Sequence, residues 1–135
     1  MTPIGPALRT AASRIAQREA RLLSAHGVTL AESELLRAVF DSGPTAPSAV
    51  ADRLGLTRGA VSKLVDRLRA KRLLVRAASG TADRRYQTLA LTGGGAMLMP
   101  ALVQAAENCE ATAFGHLSAN DRAKIVALLA RIPSG

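Results

Sequence analysis

Arg58, Ser62, Lys63 and Arg67 fall in two rows four residues apart, beside Gly59 and Ala60. On a helix such rows line one side. Two guanidinium groups, an ammonium and a hydroxyl offer many hydrogen-bond donors and, apart from the hydroxyl, no acceptor. Their chemistry is recognition of an anionic surface that presents acceptor edges. The small residues at 59 and 60 permit close approach of the backbone. This is the composition expected of a helix laid into a DNA major groove, where N-terminal side chains meet base edges. Arg58, Ser62 and Lys63 are the candidates for base contact, with Ala60 offering a methyl group. Arg67 and Lys71 lie further along and read as solvated or phosphate-facing, and Arg76 reads equally as a ligand contact or a structural salt-bridge partner. The amide end of the helix at Thr57 should also point at phosphate. Taken alone, the stretch could equally be a solvated basic face, so the elements around it decide.

No constellation for catalysis accompanies these residues. There is no nucleophile–base pair and no pair of carboxylates at a working spacing. Gly93 to Gly95 lacks the lysine and spacing of a phosphate loop. One cysteine, Cys109, with His26 and His116 far apart, gives no metal-site spacing. An enzyme, a cofactor and a metal are therefore not expected. Cys109 sits on an apolar helical face, which reads as a small core residue; an oxidation sensor is the alternative.

The elements needed to position the basic rows can be read outward from them. Thr57 is a natural N-cap. Val61, Leu64, Val65 and Leu68 then occupy one helical face, which predicts a helix over Thr57–Arg72 buried on that side. A short helix over Pro47–Leu54 precedes it, with proline suited to the first turn. Gly55 allows a tight turn between the two. Helix, glycine turn and basic second helix make a helix-turn-helix. Leu73–Arg76 and the alternating Tyr86–Leu91 read as two strands around a polar loop that carries Arg84 and Arg85 at or near its tip, a wing.

Upstream, residues 1–6 hold two prolines and a glycine and read as a loose arm. A helix over Ala7–Ala25 follows, with Leu8, Ala11, Ala12, Ile15, Leu22 and Leu23 as its stripe, ended at Gly27. Thr29 and Glu32 have capping-box spacing and open a second helix to Asp41, with Leu35, Leu36, Val39 and Phe40 inward. Ser42-Gly43-Pro44 is a turn. Downstream, Thr92 caps a long helix to Gly115 that Pro100 should bend unless it lies near the start. Glycines 93 to 95 either loosen the joint with the wing or are simply tolerated there. Ser118 caps a last helix with Ile125, Leu128, Leu129 and Ile132 as its stripe. The fold class is thus mostly α with a small β-hairpin wing. A winged helix-turn-helix over residues 29–92 is flanked by helical segments, 1–28 and 93–135, expected to dimerise. The apolar width of those flanking helices exceeds what one small core needs, and a monomer would expose it.

Composition sharpens the class. The chain has 135 residues, 48% of them hydrophobic and 2% aromatic, with a net charge of +8. Disorder is excluded by the first figure, and base-stacking on single strands by the second. The whole charge excess lies between Arg53 and Arg85, where ten basic residues face two acids, Asp66 and Asp83; the remainder balances. Such a patch is a footprint for a polyanion and speaks against the alternative, a winged helix serving as a protein-interaction module. No apolar run is long enough to span a bilayer. A single cysteine, with no signal-type apolar region, suits the cytoplasm.

The order helix, helix, helix-turn-helix, wing, long helix, helix resembles the MarR family of bacterial transcriptional regulators over nearly the whole chain. The most specific segment is Asp83-Arg84-Arg85 followed by Leu89, Leu91-Thr92 and Gly95, which is similar to the family's D-x-R … L-x-L-T-x-x-G pattern. Val50 to Thr57 followed by Ala60 to Leu68 is similar to its helix-turn-helix. The resemblance implies a homodimeric regulator of double-stranded DNA, more often a repressor, with a pseudo-palindromic operator. Recognition helices would lie in successive major grooves and wings in the flanking minor grooves. It implies that Arg85 enters the minor groove, that Asp83 orients it, and that a small-molecule effector acts. Arg72 stands where the family usually has glycine, so either a left-handed residue or a different helix end is expected there.

Overall fold

The computed structural model describes residues 1–79 and 86–135. These residues form α1 (Ile4–Ser24), α2 (Leu30–Ser42), α3 (Pro47–Leu54), α4 (Arg58–Ala70), β1 (Leu74–Ser79), β2 (Tyr86–Leu91), α5 (Gly93–Phe114) and α6 (Ala119–Ala130). Four hydroxyls set four helix starts. The Thr29 hydroxyl accepts from the Glu32 amide at 3.1 Å, and the Glu32 carboxylate accepts from the Thr29 amide at 2.8 Å, a complete capping box. Thr57, Thr92 and Ser118 accept from the amides of Ala60, Gly95 and Asp121 at 3.1, 3.0 and 3.1 Å.

The helix-turn-helix packs on α2 and α5. Leu35, Leu36 and Val39 of α2 meet Val50 of α3, Val61, Val65 and Leu68 of α4, and Met99 and Leu102 of α5 in one buried cluster. Gly55 turns between α3 and α4 with φ +67°, a left-handed conformation that glycine adopts without strain. β1 and β2 pair antiparallel from Leu74↔Leu91 to Ser79↔Tyr86. Leu74 and Leu89 drop from the hairpin into the core. Thr45 adds a bridge to β2: its amide donates to the Leu89 carbonyl at 3.1 Å and its carbonyl accepts from the Leu89 amide at 2.6 Å. The wing is thereby stitched to the α2–α3 connection.

Several expectations need correction. Residues 4–6 belong to α1 rather than to an arm; a proline in the first turn gives up an amide that no helical carbonyl needs. Phe40 does not point inward but is 52% exposed. β1 runs to Ser79, since β2 offers six partners. α4 ends at Ala70, two residues early. There Arg72 takes the left-handed conformation, φ +60°. The Arg72 and Leu73 amides donate to the Arg69 and Leu68 carbonyls, each at 2.9 Å, a Schellman end built on a non-glycine residue. Pro100 lies inside α5, seven residues past Gly93, rather than near its start. Gly95 is not merely tolerated: it is buried, and a Cβ there would run into the Leu73 carbonyl oxygen. As expected of a single copy, by contrast, the α6 stripe and the N-terminal half of the α1 stripe find no cover within the chain. Ile125, Leu128, Leu129, Ile132 and Leu8 are all exposed. Among the described residues no helix is long and apolar enough to cross a membrane.

Candidate nucleic-acid interface

α4 is held by its Val61, Leu64, Val65 and Leu68 face, all buried. This leaves Arg58, Gly59, Ser62, Lys63, Asp66 and Arg67 exposed and Ala60 half-buried. The helix start is open: no acidic residue lies in its first turn, so the partial positive charge of its amide end is not neutralised there.

The structure sorts the basic patch into engaged and free groups. Arg53 donates to Asp41 Oδ2 at 2.8 Å and to the Ala38 carbonyl at 3.4 Å, tying α3 to α2. Lys71, expected to be solvated or phosphate-facing, instead donates to the Gly27 carbonyl and to Glu32 Oε1, both at 2.8 Å. Arg76, evenly placed between ligand contact and salt-bridge partner by sequence, donates to the Gln87 side chain across the hairpin at 3.3 Å. By contrast Arg58, Lys63, Arg67, Arg69 and Arg72 have no acidic side chain within 4.0 Å among the described residues. Among the described residues of the patch, the cations that remain free are those of α4 and its end. Asp83, Arg84 and Arg85, the wing-tip residues singled out in the sequence, lie outside the described residues.

Beside the tip of α4, Arg58 shares a shallow cleft of about 310 Å³ with Ala46, Pro47, Ser48 and Gln87. It joins the starts of α3 and α4 to the strand of the wing. Donors from three elements converge there, which suits a tetrahedral anion on a continuous backbone.

A model of the MarR family matches residues 26–85. The HTH-type transcriptional repressor NicR of Pseudomonas putida is 30% identical over 97 residues, which are 72% of this chain and 61% of NicR. The solved structure of BpsR from Bordetella bronchiseptica superposes with a TM-score of 0.87 at 26% identity, covering 98% of this chain and 94% of that one. The chain belongs to the MarR family. It also has the fold of a mutant MarR from E. coli complexed with operator DNA, with a TM-score of 0.88 at 22% identity over 97% of this chain and 94% of that one.

In this MarR-family chain, three residues near the interface carried no sequence signal strong enough to find them. Ser48 and Gln87 come to Arg58 only through the packing of α3 and the wing. Asp66 was visible as one of two acids in the patch, and at one turn beyond Ser62 it lies on the same exposed face. The buried thiol of Cys109 donates to the Ile15 carbonyl at 3.6 Å; burial first, and then the Glu19 carboxylate, push it up from its ordinary value. A protonated, buried thiol is a poor nucleophile.

Proposed function

We propose that the chain is a sequence-specific regulator of transcription, a repressor, that binds a pseudo-palindromic operator in double-stranded DNA as a homodimer in the cytoplasm. The observation that carries this reading is the sorting of charge. The structural pairs take up Arg53, Lys71 and Arg76, and the free cations gather on α4. Arg58, Ser62 and Lys63 meet base edges, Ala60 meets a thymine methyl, and the amide end at Thr57 and Arg67 meet phosphate. Ser48 and Gln87, beside Arg58 in the same cleft, meet the adjoining backbone phosphate. Arg85 enters the minor groove, oriented by Asp83, with Arg84 on the adjoining backbone.

Residues 29–92 form the reading lobe, and residues 1–28 and 93–135 the dimerising limbs. The exposed Ile4, Leu8, Ile125, Val126, Leu128, Leu129 and Ile132 support that division, because a second copy would cover them. NicR is a repressor, and regulation of BpsR's DNA binding by 6-hydroxynicotinic acid supports a small organic acid as effector class.

The test is enrichment of a duplex from a random pool by the wild-type chain, followed by fluorescence anisotropy against a scrambled duplex at two salt concentrations. A palindromic winner, bound tightly and with steep salt dependence, is the expected result. Lys63→Ala and Arg85→Ala should each weaken it by about tenfold. Equal, weak binding to winner and scramble would reduce the patch to a non-specific surface.

A further inference from the structure

The corner that ends α4 is gripped from two sides. On one side the Thr92 hydroxyl donates to the Arg72 carbonyl at 2.7 Å, and the Thr92 amide donates to the Leu73 carbonyl at 3.2 Å. These bonds pin the corner to the start of α5, where Gly95 lets the two backbones touch. On the other side Lys71 reaches across to the α1–α2 corner and bonds the Gly27 carbonyl and Glu32 Oε1. The root of α4 is therefore bonded to the cap of α5 and to the α1–α2 corner, while its tip is open.

Glu32 is out of keeping with a mere cap. Its side chain is 1% exposed, and its second oxygen, Oε2, is buried with no hydrogen-bond partner among the described residues. Glutamine would complete the capping box with Thr29 equally well. A buried carboxylate with a bare oxygen is costly unless its charge is used. The charge is used by Lys71, 39 positions away and one residue past the end of α4. The Lys71 side chain is 39% exposed and its ammonium bonds only groups outside α4, so its hydrogen bonds do not serve that helix locally.

We propose that Glu32 and Lys71 are positioning residues, a charged latch that fixes the root of α4 to the α1–α2 corner and so sets the angle and spacing at which α4 is presented. This rests on the reading of α4 as the DNA-recognition helix. The latch touches no ligand; it acts through the orientation of Arg58, Ser62 and Lys63. Two α4 helices in a dimer must match two half-sites at once, so a loosened root penalises the matched duplex and leaves non-specific, charge-driven binding untouched.

The double variant Glu32→Gln/Lys71→Gln tests this, since it removes one charge of each sign and leaves the net charge unchanged. Anisotropy would be measured on the duplex enriched by the wild-type chain and on a scrambled duplex, beside Lys71→Arg and a thermal melt of each protein. The expected result is a loss of about tenfold on the enriched duplex, no change on the scramble, an unaltered salt slope, and near-wild-type behaviour of Lys71→Arg. If the double variant does not fold, Lys71→Gln alone takes its place against Lys71→Arg, because that side chain is partly exposed. Unchanged affinity for the enriched duplex, or an equal loss on both duplexes, would overturn the latch and leave the DNA reading standing. A wild-type chain that discriminates no duplex from another would overturn both.

Discussion

The lobe and the α6 limb are made from the same residue types and meet opposite fates. Leu36 of α2 is 0% exposed, and Leu128 of α6 is 59% exposed. In the lobe each apolar face finds a partner face within the chain: α2 on α4 and α5, and the wing's Leu74 and Leu89 beneath them. α6 has a capped start and a regular apolar stripe, yet buries no residue at all. Its one strong tie is the Arg122 guanidinium donating to the Phe114 carbonyl at 2.9 Å, which closes the end of α5. A helix of 12 residues is short for independent stability in water. The contrast teaches that periodicity declares that a face will be buried and is silent on whether the cover lies in the same chain.

Substitutions in the two regions should separate them, beginning with the largest effect. Leu36→Ala opens a cavity among residues that cannot collapse, and should lower unfolding free energy by about 4 kcal/mol, measured by urea denaturation. Leu128→Ala in dilute protein should change it by less than about 0.5 kcal/mol, yet raise the dissociation constant of the proposed dimer in analytical ultracentrifugation. An equally large loss of intrinsic stability at Leu128 would erase the distinction between the regions.

Next comes the joint between wing and limb. Gly95→Ala must displace the Leu73 carbonyl and should be destabilising by about 3 kcal/mol in the same denaturation experiment. Gly93→Ala, two residues earlier with open space around it, should be neutral or slightly stabilising. Matching effects at both glycines would mean that the joint yields freely.

Glu32 gives a smaller effect with a pH signature. Burial pushes its carboxyl up, but hydrogen bonds from Lys71 and Thr29 and the Lys71 charge outweigh this and hold it below the ordinary value of 4.5. A depressed carboxyl contributes stability that is present above its unfolded value and is lost as pH falls through its folded value. The wild type should therefore be more stable than Glu32→Gln at neutral pH, by about 2 kcal/mol, with the gap closing below about pH 4.5. Thermal melts from pH 7 to pH 3 would show it, and a constant gap would assign the difference to packing alone.

The smallest expected effect lies at the α4 end. Arg72 holds a left-handed conformation that costs other residues about 1 kcal/mol, so Arg72→Gly should gain roughly that amount in stability. A loss would show that the Arg72 side chain itself contributes.

Much of this architecture was legible beforehand because its signals are local. Hydroxyl caps at Thr29, Thr57, Thr92 and Ser118, glycine at 55 and apolar spacing along α4 each act within one or two turns, and the structure has them all. The outward placing of Arg58, Ser62, Lys63 and Arg67 followed from the same spacing. Phe40 was misread because spacing places it beside Leu36 and Val39 without saying how wide the covered strip is. The roles of Lys71 and Arg76 were not legible either. Their partners, Glu32 with Gly27 and Gln87, lie far along the chain or on the opposite strand, and a charge count weighs every cation alike.

The sequence by itself determined the helices, the four starts that a hydroxyl caps, the turn at Gly55, the hairpin and the concentration of charge on one stretch. These depend on interactions between residues a few positions apart. Only the tertiary structure decided which of the basic residues from Arg53 to Arg76 are consumed as struts and which stay free, that Gly95 lies against Leu73, and that Phe40 falls outside the covered strip. Those outcomes depend on what lies opposite each side chain in space, and that is fixed by packing rather than by spacing along the chain.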